Sequence, residues 1–238
     1  MKLSTLAVLT ALAMNSIAHA DTPRFSPIRD TRSLFVPVGF DDNDDVVVVL
    51  DGYIGDPCDK LRAPKVIIDK ANGSITITPM KERVGENCPE ILVPYQQVVN
   101  LGTLPMGTYA VQTFDDKLGE ILSVKKAPFA TPDDHLYAPV DSAHVSVQVS
   151  GTMTATVRGR LTDSCLSIEK VEVLPSGRTM VVLPIMKKSA TDPQGAACQP
   201  IERPFESRVE LPVLTAGRYL LHVRSLNGQS VNEVFSVL

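Results

Sequence analysis

The densest cluster of carboxylates in this 238-residue chain is Asp41-Asp42-Asn43-Asp44-Asp45. Clustered carboxylate oxygens are the ligands that Ca2+ prefers. The run lacks the alternating D-x-D-x-D-G spacing of a dedicated calcium loop, and a solvated turn before a strand accounts for it without a metal. Asp56 and Asp163 each stand two residues before a cysteine, where a carboxylate caps the backbone amides of a turn. Of the histidines outside the first twenty residues, His135 falls between the two halves of the chain, and His144 and His222 fall on strand faces where alternation predicts solvent. No H-E-x-x-H, G-x-S-x-G or glycine-rich phosphate loop is present. The expectation is no catalytic residue, no metal ligand and no cofactor.

The remaining reactive side chains are four cysteines, Cys58, Cys88, Cys165 and Cys198, which allow three pairings. An internal repeat selects one. Cys88, Ile91, Pro94, Tyr95, Val99, Leu101, Leu104, Gly107 and Tyr109 are followed 110 positions later by Cys198, Ile201, Pro204, Phe205, Val209, Leu211, Leu214, Gly217 and Tyr219. Upstream, Gly52, Ile54, Asp56 and Cys58 precede Gly159, Leu161, Asp163 and Cys165 by 107. Each copy thus holds two cysteines at equivalent places, and the expected bridges are Cys58–Cys88 and Cys165–Cys198. A bridge closing a loop of about 30 residues contributes roughly 3 to 4 kcal/mol on the loop-entropy model.

The first twenty residues carry Lys2, an apolar stretch and then Ala18-His19-Ala20, the pattern of a secretory signal peptide cleaved after Ala20. No later apolar run approaches the roughly 20 residues of a membrane span. A periplasmic or secreted location follows, in which disulfides persist. The net charge of −4 is too mild for a nucleic-acid partner or an electrostatic membrane dock.

Apolar and polar residues alternate in Ser74-Ile75-Thr76-Ile77-Thr78 and His144-Val145-Ser146-Val147-Gln148-Val149, the period of half-buried strands. Further strands are expected at 46–50, 65–69, 109–114 and 120–124, and then at 152–161, 169–174, 179–185, 207–211, 219–224 and 230–237. Asn72-Gly73, Pro175-Ser176-Gly177 and Asn227-Gly228 supply turns. The expected organisation is a signal peptide at 1–20, a flexible amino-terminal arm at 21–32, β-sandwich modules at 33–124 and 142–238, and a linker at 125–141. Residues 187–197 are a polar insertion present only in the second module.

Leu104-Pro105-Met106-Gly107-Thr108-Tyr109 and Leu214-Thr215-Ala216-Gly217-Arg218-Tyr219 resemble the tyrosine corner of immunoglobulin and fibronectin type III domains. The resemblance implies an all-β fold of two tandem immunoglobulin-like antiparallel sandwiches, each with one internal disulfide, in which the hydroxyls of Tyr109 and Tyr219 bond nearby backbone. No Cys stands two residues after either Tyr, which sets the modules apart from antibody domains. The layout also resembles periplasmic pilus chaperones, in fold alone.

These features point to an exported, non-enzymatic binding module that recognises a protein partner through loops or sheet edges. The alternative is a structural or spacer protein of the cell envelope. Carbohydrate recognition has weak support, because the chain has no Trp and only Tyr53 and Tyr137 are not already claimed by repeat positions. The candidate binding loop is the insertion, with Lys187, Lys188, Asp192 and Gln194 as its recognition residues.

Overall fold

A computed structural model describes residues 24–130, 133–147 and 151–238; the expected leader lies outside them. The first half contains β1 (Arg24–Pro27), β2 (Thr31–Phe35), β3 (Phe40–Asp41), β4 (Val46–Ile54), β5 (Asp59–Asp69), β6 (Ser74–Arg83), β7 (Val93–Gly102), β8 (Gly107–Thr113) and β9 (Gly119–Lys125). The second contains β10 (Val140–Val147), β11 (Met153–Leu161), β12 (Leu166–Ser176), β13 (Thr179–Lys188), β14 (Arg203–Glu210), β15 (Gly217–Arg224) and β16 (Ser230–Val237). The described residues contain no α-helix and a single 3-10 turn at Leu226–Gly228.

Each half is a β-sandwich, and the duplication is visible strand for strand. Sheet β2-β4-β7 corresponds to β10-β11-β14, and β5-β6-β8-β9 to β12-β13-β15-β16. Ile75, Ile77, Val48, Leu50 and Leu122 fill the first core, and Met180, Val182, Val157 and Leu221 the second. Each half holds its own disulfide, Cys58–Cys88 and Cys165–Cys198, with Cα atoms 5.8 and 5.4 Å apart.

The sheets are not wholly antiparallel. β8 runs parallel to β6, and β15 parallel to β13, whereas immunoglobulin sandwiches consist of antiparallel sheets. The cause is the order within the hairpins β5-β6 and β12-β13. The more apolar member takes the inner place, and the charged member, interrupted by a register shift at Arg62/Lys65 or Ile168/Lys170, takes the edge, where charge and irregularity blunt further pairing.

Two expectations about the ends of the modules are corrected. The described part of the arm forms strands: β1 pairs with β6, and the chain then crosses to pair β2 with β4. Likewise the described end of the linker is bonded to the second module before β10 begins: Tyr137 bridges Ile185, and Ala138 N–H donates to Pro184 O as Ile28 N–H does to Pro79 O, both at 2.8 Å. Each crossing explains a glycine of the repeat. A Cβ on Gly52 would overlap the Asp30 carbonyl oxygen, and one on Gly159 the Pro139 carbonyl oxygen. The cross-strand partners of these glycines, Tyr95 and Phe205, lay their rings over the space that the missing side chains leave.

Tyr109 donates its hydroxyl proton to Pro105 O at 2.9 Å, and Tyr219 to Thr215 O at 3.0 Å. Both rings are buried, so each loop before β8 or β15 is tied to the strand that follows it.

The modules are fused face to face. Strands β13 and β15 are buried on both sides, which explains their unbroken apolar runs. One side faces their own core. The other meets the first module, where Leu220 packs on Phe35 and Val49, and Val181, Leu183 and Ile185 pack with Tyr137 and Val38. Polar groups complete the seam: Arg218 pairs with Asp51 at 2.5 Å, Gln96 Nε2 donates to Asn232 O, and Val234 N–H donates to Gln96 Oε1. At one end Arg224 contacts Asp44 at 3.3 Å, donates to Gly39 O and lies over the Phe40 ring. His222, expected at solvent, is instead 1% exposed, because the first module covers the outer face of β15. Its ring meets Phe40 edge-on at 6.1 Å, and Nδ1 donates to Asn232 Oδ1 at 2.7 Å.

Two predictions follow from this packing. Tyr109→Phe and Tyr219→Phe should each lower unfolding free energy by about 1 kcal/mol in urea titrations, since a backbone acceptor loses its partner. The second concerns acid. Burial, reinforced by Arg224, pushes the His222 pKa down to about 4 from 6.5. A depressed histidine pKa means that the unfolded chain binds the proton first, so stability is full above pH 6.5 and is lost progressively as pH falls towards 4. At about 1.4 kcal/mol per pKa unit, the loss from this residue is roughly 3 kcal/mol. Burial raises the pKa of Asp44, which acts with the opposite sign, so the test is a difference. His222→Gln should flatten the stability–pH curve between pH 6.5 and 4 relative to the parent; parallel curves would remove His222 as the cause.

Candidate functional site: the disulfide corner of the second module

In both modules the disulfide staples a corner of the same design. An Asp-x-Cys turn opens it, with Asp56 Oδ1 accepting from Cys58 N at 2.8 Å and Asp163 Oδ1 from Cys165 N at 2.7 Å. The other carboxylate oxygen takes a cation from the end of β6 or β13, Arg83 at 2.5 Å in the first module and Lys188 at 3.2 Å in the second. The Arg83 hydrogen bond holds the Asp56 carboxyl below its usual pKa. Asp163 is lowered first by the Cys165 amide and then by Lys188. Asp56 with Cys58 and Cys88, and Asp163 with Cys165 and Cys198, come close enough to resemble metal sites, but the sulfurs are spent in disulfides and the carboxylates in the turns.

The second corner carries more. Arg203 Nη2 donates to the carbonyls of Asp163, Ser164 and Leu166 at 3.3, 3.2 and 2.7 Å, where the first module has Val93. Beyond β13 the chain runs through the insertion before reaching Cys198. Asp192 organises it: Oδ1 accepts from Gln194 N at 3.0 Å and Ala196 N at 2.7 Å, and the backbone closes through Asp192 N to Ala196 O and Gly195 N to Asp192 O, both at 3.0 Å. Gly195 has φ +83°, a left-handed conformation that suits glycine. Ser189 N–H donates to Cys165 O at 3.0 Å. The result is a projecting turn, fixed at its tip by a carboxylate and at its base by the disulfide.

The expected recognition residues therefore divide. Lys187 and Lys188 belong to β13 rather than to the loop, and Lys188 is the counterpart of Arg83 in the Asp163 pair. Asp192 turns its carboxylate inward to the loop's own amides. Gln194 stays exposed on the crest with Pro193. No sequence motif marks Arg203 or Ser164. The only available signal was that Arg203 replaces an apolar residue of the first copy.

The acidic run forms part of the junction between modules. Asp44 Oδ2 accepts from Asp41 N at 3.0 Å and faces Arg224, and Asp42 pairs with Lys126 at 2.7 Å. Burial raises the pKa of Asp41 and of Asp44, whereas Lys126 lowers that of Asp42. The Arg224 guanidinium occupies the position beside Asp44 that a cation would need. Of the two tyrosines left for sugar stacking, Tyr137 is 2% exposed and so offers no platform. Tyr53 is half-buried, with Arg32 stacked 5.9 Å from its ring centre.

Comparison with known proteins gives one result, and it falls on the second module. A family model described as the ORF11 beta-sandwich domain matches residues 155–237, the span from β11 through β16. No curated protein and no solved structure matches the chain.

Proposed function

We propose that this is an exported, non-enzymatic binding protein that presents the 189–197 loop of its second module to a protein partner. The carrying observation is the construction of that loop. It contributes no side chain to either core, yet its backbone is held by Asp192, by the Cys165 carbonyl and by the disulfide. An ordered projecting turn on a rigid sandwich loses little entropy when it docks. Export is supported by the two disulfides, which favour an oxidising compartment, and by the leader-like first twenty residues. The modules are read as variants of the immunoglobulin plan, supported by the paired tyrosine corners and by the grouping of β2, β4 and β7, and of β10, β11 and β14, in one sheet each.

A spacer that polymerises by stacking modules is favoured by the fused seam, but the faces argue against repetition. The first module docks through Phe35, Val49, Asp51 and Gln96. By strand register the second module carries His144, Thr156, Arg158 and Glu206 at those places. Arg158 in place of Asp51 would meet Arg218 of a further copy with like charge, so the seam closes within one chain.

Replacing residues 189–194 with a short Gly-Ser turn should leave thermal unfolding nearly unchanged and abolish specific, substoichiometric capture from envelope extract. Retained capture by the folded variant would place recognition elsewhere. Concentration-dependent polymer formation by the parent would favour the spacer instead.

A further inference from the structure

The two modules differ at the end of the sandwich opposite the disulfide, and the first shows what the second lacks. In the first module, residues 36–45 join β2 to β4 and carry β3, which lies parallel to the end of β9 with Phe40 opposite Val124. Phe40 enters the same core cluster as Leu101, Leu104 and Val124. In the second module β10 and β11 stay paired three residues beyond the equivalent point, from His144 opposite Thr156 to Val147 opposite Met153. No strand lies against the equivalent end of β16 among the described residues.

The consequence is measurable in burial. Leu104, Leu122 and Val124 are 1 to 2% exposed, whereas their counterparts Leu214, Phe235 and Val237 are only half-buried. An apolar cavity of about 590 Å³ opens there, lined by Met153, Leu211, Val213, Leu214 and Val237. Val213 is fully exposed at its rim.

We propose that this open end receives an extended segment of a partner protein. The segment adds a short parallel strand beside Val237 and seats one large apolar side chain between Leu211, Leu214 and Val237, as residues 39–41 do for the first module. Strand addition of this kind takes affinity from main-chain hydrogen bonds and selectivity from the side-chain pocket. The site is independent of the 189–197 loop, at the other end of the same module, so either can fail alone.

The probe is a fluorescently labelled peptide with the sequence of residues 36–41, Val-Pro-Val-Gly-Phe-Asp, titrated against the full chain by anisotropy. Saturable binding is expected, weakened about tenfold or more when the peptide Phe is replaced by Ala, because burial of one aromatic side chain is lost. Val213→Glu should weaken binding similarly while leaving the melting temperature unchanged, since this side chain contributes nothing to the core. Absence of saturable binding, or indifference to both substitutions, overturns the proposal. So does a parent chain that dimerises in sedimentation and becomes monomeric in Val213→Glu, because the occupant is then a second copy.

Discussion

The arrangement of this protein depends on one buried guanidinium. Arg224 sits at the end of β15 and reaches across the seam to Asp44, to the Gly39 carbonyl and to the face of Phe40. Desolvating a charge pair costs several kcal/mol per ion, and the attraction offsets this only when the remaining donors are also satisfied. Here the carbonyl and the ring supply those contacts. The pair therefore contributes little to net stability compared with an apolar substitute, but it is unforgiving of partial loss. That asymmetry fixes one geometry for residues 39–44, the segment that closes the end of the first sandwich.

Because Phe40 serves two environments, the seam and the first core are not separable. Its ring belongs to the cluster with Leu104 and Val124, and it also meets His222 edge-on and carries Arg224 over its face. Shifting the second module displaces the plug of the first. A duplicated protein could have remained two beads on a string. This one uses the duplication asymmetrically, giving one copy an apolar outer face on β2-β4-β7 and the other an apolar outer face on β13-β15-β16.

Much of this was legible in the sequence. The repeat gave the cysteine pairing, the strand equivalences and the place of both corner tyrosines, because residues kept in two copies of one fold are those the fold needs. Alternation located most strands. It failed where its premise failed. Thr179 to Ile185 and Tyr219 to Val223 do not alternate, which is the mark of strands covered on both faces, and reading them as half-buried put His222 at solvent. β1 and the 136–139 segment were taken for arm and linker because proline and charge suggest loops. Yet Pro27 and Pro139 lie where the chain crosses between sheets, a position that a missing amide does not harm. The candidate loop was visible as an insertion, but its internal use of Asp192 and the structural duty of Lys188 depend on three-dimensional partners that spacing cannot reveal.

The departures between copies carry more functional information than the matches. Positions shared by both modules are accounted for by glycines under crossing strands, aspartates capping turns, disulfides and buried tyrosines. What distinguishes the second module is placed at its two ends: an added, self-ordered turn beside Cys198 and an end of the sandwich where Leu214, Phe235 and Val237 are only half-buried. Neither change improves the sandwich as a sandwich. A turn of this size adds chain to be ordered, and an open apolar end leaves burial unrealised. Each copy has one outer sheet face covered by its sister, and both changes lie at the ends of the second copy's sandwich. In the first module the end that is open in the second is closed by Phe40, which Arg224 holds from across the seam.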